Sequence, residues 1–200
     1  MSSMLKLALT GSIASGKSEV GRLLAARGAC VVDADRVAHA VYQPGSDGYA
    51  PLIQAFGPGI LAPDGSIDRR RLAALVFADA ALRKQLTDIV WPLTAREVDR
   101  LAREQEAAGT SVFVVEAPLL VEAGWQSYFD QVWLVRARPQ TLRRRLKARG
   151  LNAADLESRL AAATDTTAAA THAHVIIDND ADLPSLHRAV DEAWNALPLA

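Results

Sequence analysis

Short apolar runs alternate with amphipathic stretches at the start of this sequence. Residues 5–9 form an apolar run bounded by a Thr-Gly pair, which is typical of a buried strand in a parallel sheet. An amphipathic pattern over residues 17–27 predicts a helix that ends at Gly28, and residues 29–32 are a second apolar run. Strand, glycine-rich turn, helix and strand in this order predict an α/β protein with a parallel sheet.

The strand pattern disappears between about residues 36 and 109. Helices are predicted over residues 36–42, 68–77 and 80–107, and Pro92 is expected to break or kink the last of them. A loop rich in glycine and proline lies between the first two of these helices. The segment therefore predicts a helical insert that rises from one edge of the sheet.

Apolar runs return after residue 110. Residues 111–115, 131–135 and 174–177 complete a predicted sheet of five strands. Helices are predicted over residues 139–149, 153–164 and 183–197. Alternating strands and helices favour an α/β sandwich of three layers, in which helices cover both faces of a parallel sheet.

Charge and composition exclude several functional classes. Basic and acidic residues number 22 and 23, so a net charge of −1 gives no overall attraction to nucleic acid or to an anionic membrane. The single Cys30 cannot form an internal disulfide, and no apolar run has the length of a signal segment or a membrane span. We therefore expect a soluble, cytoplasmic protein without nucleic-acid or membrane partners.

The turn after the first strand carries a phosphate-binding pattern. Residues 11–18 read GSIASGKS and fit G-x-x-x-x-G-K-[ST] at every required position. The glycines let backbone N–H groups point inward around an anion, and the following helix adds its positive N-terminus. Lys17 is expected to reach the β- and γ-phosphates of a nucleoside triphosphate, and Ser18 to ligate Mg²⁺. A chance glycine-serine turn before a helix is the alternative.

Carboxylates follow two of the predicted strands. Asp33 and Asp35 come after the second strand, and Glu116 ends the third. Ligands of open parallel sheets collect at the carboxyl ends of the strands, so these groups are expected to face one crevice. Asp33 is the candidate to accept a hydroxyl proton, and Glu116 is a candidate outer carboxylate for Mg²⁺. Helix capping competes for both aspartates, about evenly for Asp35, and solvent exposure competes for Glu116.

A basic segment follows the fourth predicted strand. Between residues 136 and 149 there are seven basic side chains and no acidic one. Arg145 and Arg149 are four residues apart and share a predicted helix face. A lid closing over a triphosphate would supply positive charge and exclude water. A solvated basic face or an RNA-binding patch is the alternative, and the lack of interleaved aromatic residues weakens the RNA interpretation.

Five segments together form a more specific signature than the phosphate loop alone. They are LALTGSIASGKS at 7–18, VVDADRVAHAVYQPG at 31–45, IDRRRLAALVFAD at 67–79, VFVVEAPLLVEAGW at 112–125 and HVIIDND at 174–180. The DAD-x₈-PG and PLL-x-E patterns within them are the most distinctive. This arrangement resembles the dephospho-coenzyme A kinases, which add the last phosphate in coenzyme A synthesis.

The resemblance implies a fold and a reaction. The fold would be that of a P-loop kinase, with a core of about residues 1–59, 109–136 and 170–200 around a parallel five-stranded sheet. A helical substrate insert would cover about residues 60–108, and a short arginine-rich lid about residues 137–165. The reaction would transfer the γ-phosphoryl group of ATP, bound with Mg²⁺, to the ribose 3′-hydroxyl of dephospho-coenzyme A.

The resemblance also implies roles for individual residues. Asp33 would be the general base, and Lys17 and Arg145 would complete the catalytic set. The nucleotide would contact Gly11, Ser12, Ile13, Ala14, Ser15, Gly16, Lys17, Ser18, Glu19, Arg145 and Arg149, with Asn179 near the adenine. The acceptor would contact Thr10, Asp33, Asp35, Pro118, Leu119, Leu120 and Glu122.

The sequence departs from the family pattern within the loop. Ser12, Ala14 and Glu19 stand in place of two glycines and a threonine. Alanine at position 14 requires an ordinary φ unless the loop is strained. Glu19 brings negative charge close to bound phosphates, which would weaken ATP binding unless the side chain is turned away. Outside the loop, Trp91 precedes Pro92, Gly150 follows Arg149, and a usual glutamine is absent from residues 161–164.

Three other functions stay open at this point. Another small-molecule or nucleoside monophosphate kinase would use the same scaffold, since the loop does not select the acceptor. A nucleotide-binding protein with little turnover would explain the altered loop. An RNA-associated ATPase would use the basic segment.

Overall fold

A computed structural model describes residues 4–150 and 166–199 and confirms the predicted α/β architecture. Five strands form one parallel sheet in the order β2-β3-β1-β4-β5. The strands are β1 (Leu5–Thr10), β2 (Cys30–Asp33), β3 (Val112–Glu116), β4 (Gln131–Arg136) and β5 (Val175–Asp178).

The described helices lie between and after these strands. They are α1 (Lys17–Ala25), α2 (Ala34–Ala40), α3 (Tyr49–Phe56), α4 (Arg69–Ala78), α5 (Ala80–Ala107), α6 (Pro139–Ala148), α7 (Thr166–His172) and α8 (Leu183–Asn195). The helix expected over residues 153–164 lies outside the described residues. Helix α7 was not among the predicted helices, because its sequence TTAAATH has no apolar stripe.

Both faces of the sheet are covered, which explains why its strands read as unbroken apolar runs. Leu7 and Leu9 of β1 pack with Trp133 and Val135 of β4 in a core that also holds apolar residues of α1 and α8. The intervening residues point to the other face, where Ala8, Phe113 and Leu134 are also completely buried. Alternating sides along a strand are therefore both apolar, as a parallel sheet with helices on both faces requires.

The sheet order makes the carboxyl end of β1 a natural ligand site. Strand β1 pairs with β3 on one side and with β4 on the other, as in the registers of Leu7 with Val114 and with Gln131. The chain leaves β1 for a strand on one side and later returns to the opposite side. Open α/β sheets bind ligands where the strand order reverses in this way, outside the carboxyl ends of the strands.

The helical segment forms a compact unit of its own. The chain divides into one unit of residues 1–32 and 105–200 and a second unit of residues 33–104. Tyr42, Leu52, Ile60, Leu72 and Val90 are buried together in the core of the second unit. This unit nearly coincides with the helical segment of about residues 36–109 that the sequence pattern predicts, whereas the resemblance implied a substrate insert from about residue 60.

Helix α5 has the predicted bounds and passes through Pro92 as one 28-residue helix, so the helix is not broken there. Proline removes one backbone hydrogen bond from a helix interior. The same turn gains a side-chain bond, since Thr94 Oγ1 donates to the Val90 carbonyl at 2.8 Å. Long regular stretches on both sides of Pro92 maintain the helix across the lost bond.

None of the described helices is suited to crossing a membrane. Within residues 4–150 and 166–199, none combines the length and the apolar character that a bilayer span requires.

Candidate nucleotide-binding and catalytic site

The phosphate loop follows β1 and depends on its two glycines. Gly11 and Gly16 have φ values of 141° and 108°, which side-chain-bearing residues rarely adopt. A Cβ atom on Gly11 would overlap the carbonyl oxygen of Val135, and one on Gly16 would overlap the side-chain amide of Asn179. Both positions therefore require glycine for conformation and for space.

Ala14 lies in the left-handed region with a φ of 60°, so of the two expected alternatives the loop is strained at this residue. This conformation costs a non-glycine residue about 1–2 kcal/mol. The Ala14 methyl group is buried in a small cluster with Leu142 and Leu146 of α6. Packing against α6 thus helps to hold the residue in its strained conformation.

Lys17 is the first residue of α1, and its ammonium group is bound to the loop. Its Nζ donates to the carbonyl oxygens of Gly11 and Ser12 at 2.6 and 3.1 Å. Gly16 caps α1 without a side chain, so no capping side chain occupies the N-terminus of the helix. The arrangement places a cation and a positive helix end at one loop, which suits a bound phosphate group.

Ser18 and Glu116 provide oxygen ligands of the kind that Mg²⁺ prefers. The Ser18 side chain is exposed in the first turn of α1. The Glu116 carboxylate lies against Gly21, one turn further along, where a Cβ atom would overlap its Oε1. The described part of the chain contains no group of three or more metal-ligating side chains. These residues therefore fit a Mg²⁺ ion held largely by nucleotide phosphates rather than one held in a protein cage.

The Glu19 carboxylate is directed away from the loop. Arg22 Nη2 and Nε donate to its two oxygens at 2.6 and 3.1 Å, and His187 Nε2 of α8 lies 3.9 Å from Oε1. The hydrogen bond from Arg22 lowers the pKa of Glu19 despite the opposing effect of burial. The negative charge of Glu19 is thus neutralised by Arg22 of α1, with His187 of α8 nearby.

Arg145 binds the backbone of the loop. Its Nη1 donates to the carbonyl oxygens of Ala14 and Ser15 at 3.2 and 3.1 Å, and its Nη2 donates to the backbone oxygen of Asn179 at 2.9 Å. Burial, and next the charge of Arg144, lower the pKa of Arg145. Arg149 is exposed and follows the last residue of α6. Direct phosphate contact by either arginine stays a prediction.

Asn179 completes these contacts from the end of β5. Its Nδ2 donates to the Ser15 carbonyl at 2.7 Å, and its Oδ1 accepts from Arg145 Nη2 at 3.2 Å. Two other basic residues of the segment are bound to acids nearby: Arg136 pairs with Asp178, and the Arg138 backbone N–H donates to Asp180 at 2.8 Å. The sequence did not reveal these pairings, because each partner lies about forty residues away.

Asp33, the last residue of β2, is the N-cap of α2. Its Oδ1 accepts hydrogen bonds from the backbone N–H groups of Asp35 and Arg36 at 2.9 and 3.3 Å. Its Oδ2 lies 3.7 Å from Arg36 Nε. Asp33, and not Asp35, therefore caps α2, and the capping hydrogen bonds fix the orientation of the Asp33 carboxylate.

Several residues predicted to contact the acceptor lie together near the loop. Thr10, Gly11, Pro118 and Glu122 line a narrow cleft that residues of α7 also border. The Leu119 side chain is 46% exposed, whereas Leu120 is completely buried. Leu120 packs in the interior, and its contact with the acceptor stays a prediction.

The helical unit contains a cleft of about 610 Å³ that the sequence reasoning did not identify. Basic and apolar side chains line it together, namely those of His39, Tyr42, Arg69, Arg70, Val76 and Leu86. The His39 ring packs edge-on against Tyr42, and burial together with the charge of Arg69 lowers the pKa of His39. The sequence signal for this cleft is the run of three arginines in IDRRRL at residues 67–72.

Known proteins match the chain over nearly its whole length. The family model described as dephospho-CoA kinase matches residues 5–185. The dephospho-CoA kinase of Symbiobacterium thermophilum is 40% identical over 191 residues, covering 95% of this chain and 80% of that protein. A second dephospho-CoA kinase, from Streptomyces avermitilis, is 42% identical over 192 residues, which are 96% of this chain and 93% of that protein.

A solved structure has the same fold. TT1252 from Thermus thermophilus superposes with a TM-score of 0.83 at 30% identity, covering 98% of both chains. The glycine-rich loop, its lysine and the parallel sheet agree with these matches. The chain therefore belongs to the dephospho-CoA kinase family.

Proposed function

We propose that this protein transfers the γ-phosphoryl group of ATP to the ribose 3′-hydroxyl of dephospho-coenzyme A, giving coenzyme A and ADP. The observation that carries this proposal is the phosphate loop at the carboxyl end of β1, with Lys17 bound across it. Family membership over residues 5–185 supports the choice of acceptor.

The loop would bind the triphosphate through backbone N–H groups and Lys17. Ser18 would hold Mg²⁺ together with the phosphates, with Glu116 as an outer carboxylate. When bound, Mg²⁺ would neutralise charge on the phosphate oxygens. Arg149 would add positive charge from beyond α6. Phosphoryl transfer needs little covalent help from a protein, so positioning and charge neutralisation would supply most of the rate enhancement.

Asp33 would act as the general base. Its capping bonds with α2 occupy Oδ1, and Oδ2 would accept the proton of the 3′-hydroxyl. The hydroxyl oxygen would form a bond to the γ-phosphorus as the bond to the ADP oxygen breaks. Asp35 would contact the same ribose.

Thr10, Pro118, Leu119 and Glu122 would contact the acceptor beside the loop. The cleft of the helical unit, with its basic and apolar side chains, suits a ligand that has phosphate groups and a long, partly apolar arm, as dephospho-coenzyme A does. Arg69 would bind phosphate, and Val76 and Leu86 would pack against the arm.

An acceptor panel tests the proposal. ADP release is measured with Mg²⁺-ATP alone, with dephospho-coenzyme A, and with each nucleoside monophosphate, and the product is analysed for a 3′-phosphate. We expect release that depends on dephospho-coenzyme A. Release with a nucleoside monophosphate instead would indicate another kinase of this fold, and ATP binding without release would indicate a nucleotide-binding protein.

A further inference from the structure

Arg145 and Asn179 together form a clamp on the outer side of the phosphate loop, which we name the loop clamp. We propose that these two residues are positioning residues, which hold the strained loop at Ala14 and Ser15 in its phosphate-binding conformation. The inference rests on the proposed function only in taking ATP as the ligand of the loop. It differs from the lid role expected for Arg145, because the guanidinium acts through the loop backbone.

The clamp fixes the orientation of one peptide group in particular. The Ser15 carbonyl oxygen accepts from Arg145 Nη1 at 3.1 Å and from Asn179 Nδ2 at 2.7 Å. In a planar trans peptide the carbonyl and the N–H of the next residue point in opposite directions. Holding the Ser15 oxygen toward the clamp therefore directs the Gly16 N–H away from it. Inward-pointing N–H groups are what a phosphate loop requires.

Strain at Ala14 gives the clamp its importance in this chain. Ala14 keeps a φ of 60°, and its carbonyl oxygen accepts from Arg145 Nη1 at 3.2 Å. Strained backbone persists only where the surroundings hold it. Without the arginine, residue 14 would relax toward an ordinary φ and rotate the neighbouring peptides. A glycine at position 14 would adopt the same φ without strain and would depend less on the clamp.

The clamp is itself firmly anchored. Asn179 is only 6% exposed, and its backbone N–H donates to the Arg136 carbonyl at 2.8 Å. Arg145 lies in α6 beside the buried Leu142 and Leu146, which also contact the Ala14 cluster. Asn179 fills the space over Gly16 that a Cβ atom would need. The clamp thus connects the loop with α6 and with the ends of β4 and β5.

A double-mutant cycle tests the proposal through ATP affinity. Mg²⁺-ATP binding is measured by calorimetry, without any acceptor, for wild type, Arg145→Lys, Ala14→Gly and the double variant. Lysine keeps the charge but has a single nitrogen, which cannot span the separate acceptors that Nη1 and Nη2 of Arg145 reach in the loop and at Asn179. We expect Arg145→Lys to weaken binding about 5–30-fold, the factor that corresponds to the strain at Ala14. The same substitution should weaken binding much less when residue 14 is glycine.

Further variants separate positioning from direct contact. Asn179→Ala should weaken ATP binding and should likewise be rescued by Ala14→Gly. Arg144→Lys, an exposed neighbour on α6, should show no coupling to position 14. In turnover assays Arg145→Lys should raise the KM for ATP, and Ala14→Gly should reduce that increase. Thermal unfolding checks that each variant is folded.

Two results would overturn the proposal. Equal loss of affinity with alanine and with glycine at position 14 would mean that Arg145 contacts the nucleotide directly. Unchanged affinity in both Arg145→Lys and Asn179→Ala would mean that the clamp does not position the loop. Failure of dephospho-coenzyme A as acceptor would refute the proposed function but leave this binding cycle intact, so the two failures are distinguishable.

Discussion

Ala14 of the phosphate loop and Glu19 of α1 show what single positions contribute and how far a sequence reveals it. Pairing of Glu19 with Arg22 follows from their spacing of three residues along a helix. Its second partner, His187, lies in the last helix and becomes a neighbour only through folding. The left-handed conformation of Ala14 was equally hidden, because it depends on α6 and on Arg145.

Removing the Lys17 cation tests the loop at the level of one side chain. We expect Lys17→Ala to reduce dephospho-coenzyme A-dependent ADP formation by at least about 10²–10³-fold, the usual effect of removing one group that stabilises developing charge. Lys84→Ala is the control, since Lys84 is exposed and pairs with Asp88 on α5. Wild-type turnover by Lys17→Ala would refute the assignment of the loop.

The Asp33 carboxylate is tested by a substitution that keeps its cap. Asparagine caps helices as well as aspartate does, so Asp33→Asn should preserve α2. We expect the chemical step to slow by about 10²–10⁴-fold while ATP binding is retained. Single-turnover kinetics measure the step, and calorimetry measures the binding.

Asp68→Asn is a closely matched control for Asp33→Asn. Asp68 caps α4 through the backbone N–H groups of Arg70 and Arg71, and Arg71 Nε lies 3.2 Å from its Oδ2. Loss of a carboxylate that only caps should leave turnover near wild type. Equal slowing in both variants would move the base role away from Asp33.

Among the elements, strands and long helices were predictable, and connections between them were not. Apolar runs and a glycine stop predicted β1, α1 and β2 to within a residue or two. The pattern did not predict that α5 continues through Pro92, because a single lost backbone bond is weak against a long helix. Nor did it predict α7, whose stability depends on packing rather than on an apolar stripe.

We expect Gly11→Ala and Gly28→Ala to have unequal effects, because Gly11 lies against β4 and Gly28 lies in open space. Gly11 and Gly28 both have positive φ, but only Gly11 faces an obstacle, the backbone carbonyl of Val135. We expect Gly11→Ala to abolish ATP binding. Gly28→Ala should cost only backbone strain, about 1–2 kcal/mol of unfolding free energy, or a Tm lower by about 2–8 °C.

Calorimetry and thermal unfolding check both glycine variants. If Gly11→Ala retained its ATP affinity, β4 would have moved to make room for the methyl group. The predicted overlap with the Val135 carbonyl would then be wrong. A loss of affinity in Gly28→Ala equal to that in Gly11→Ala would show that strain, and not the obstacle, explains the effect.

For the whole molecule, the parallel sheet and its five strands follow from the apolar pattern, but the strand order does not. Periodicity is a local signal, whereas the position of β1 between β3 and β4 depends on contacts over a hundred residues apart. The extent of the helical unit, residues 33–104, was by contrast largely predictable from the loss of the strand pattern between about residues 36 and 109. The sequence predicted the part of the candidate site that lies in one local motif, the phosphate loop. It did not predict the contacts between side chains that are distant in the sequence.

The most direct test of the whole account is ADP release with Mg²⁺-ATP in the presence and absence of dephospho-coenzyme A. The account predicts release only when dephospho-coenzyme A is present, with a product that carries a new ribose 3′-phosphate. Tight ATP binding with no release, for dephospho-coenzyme A or any nucleoside monophosphate, would contradict it.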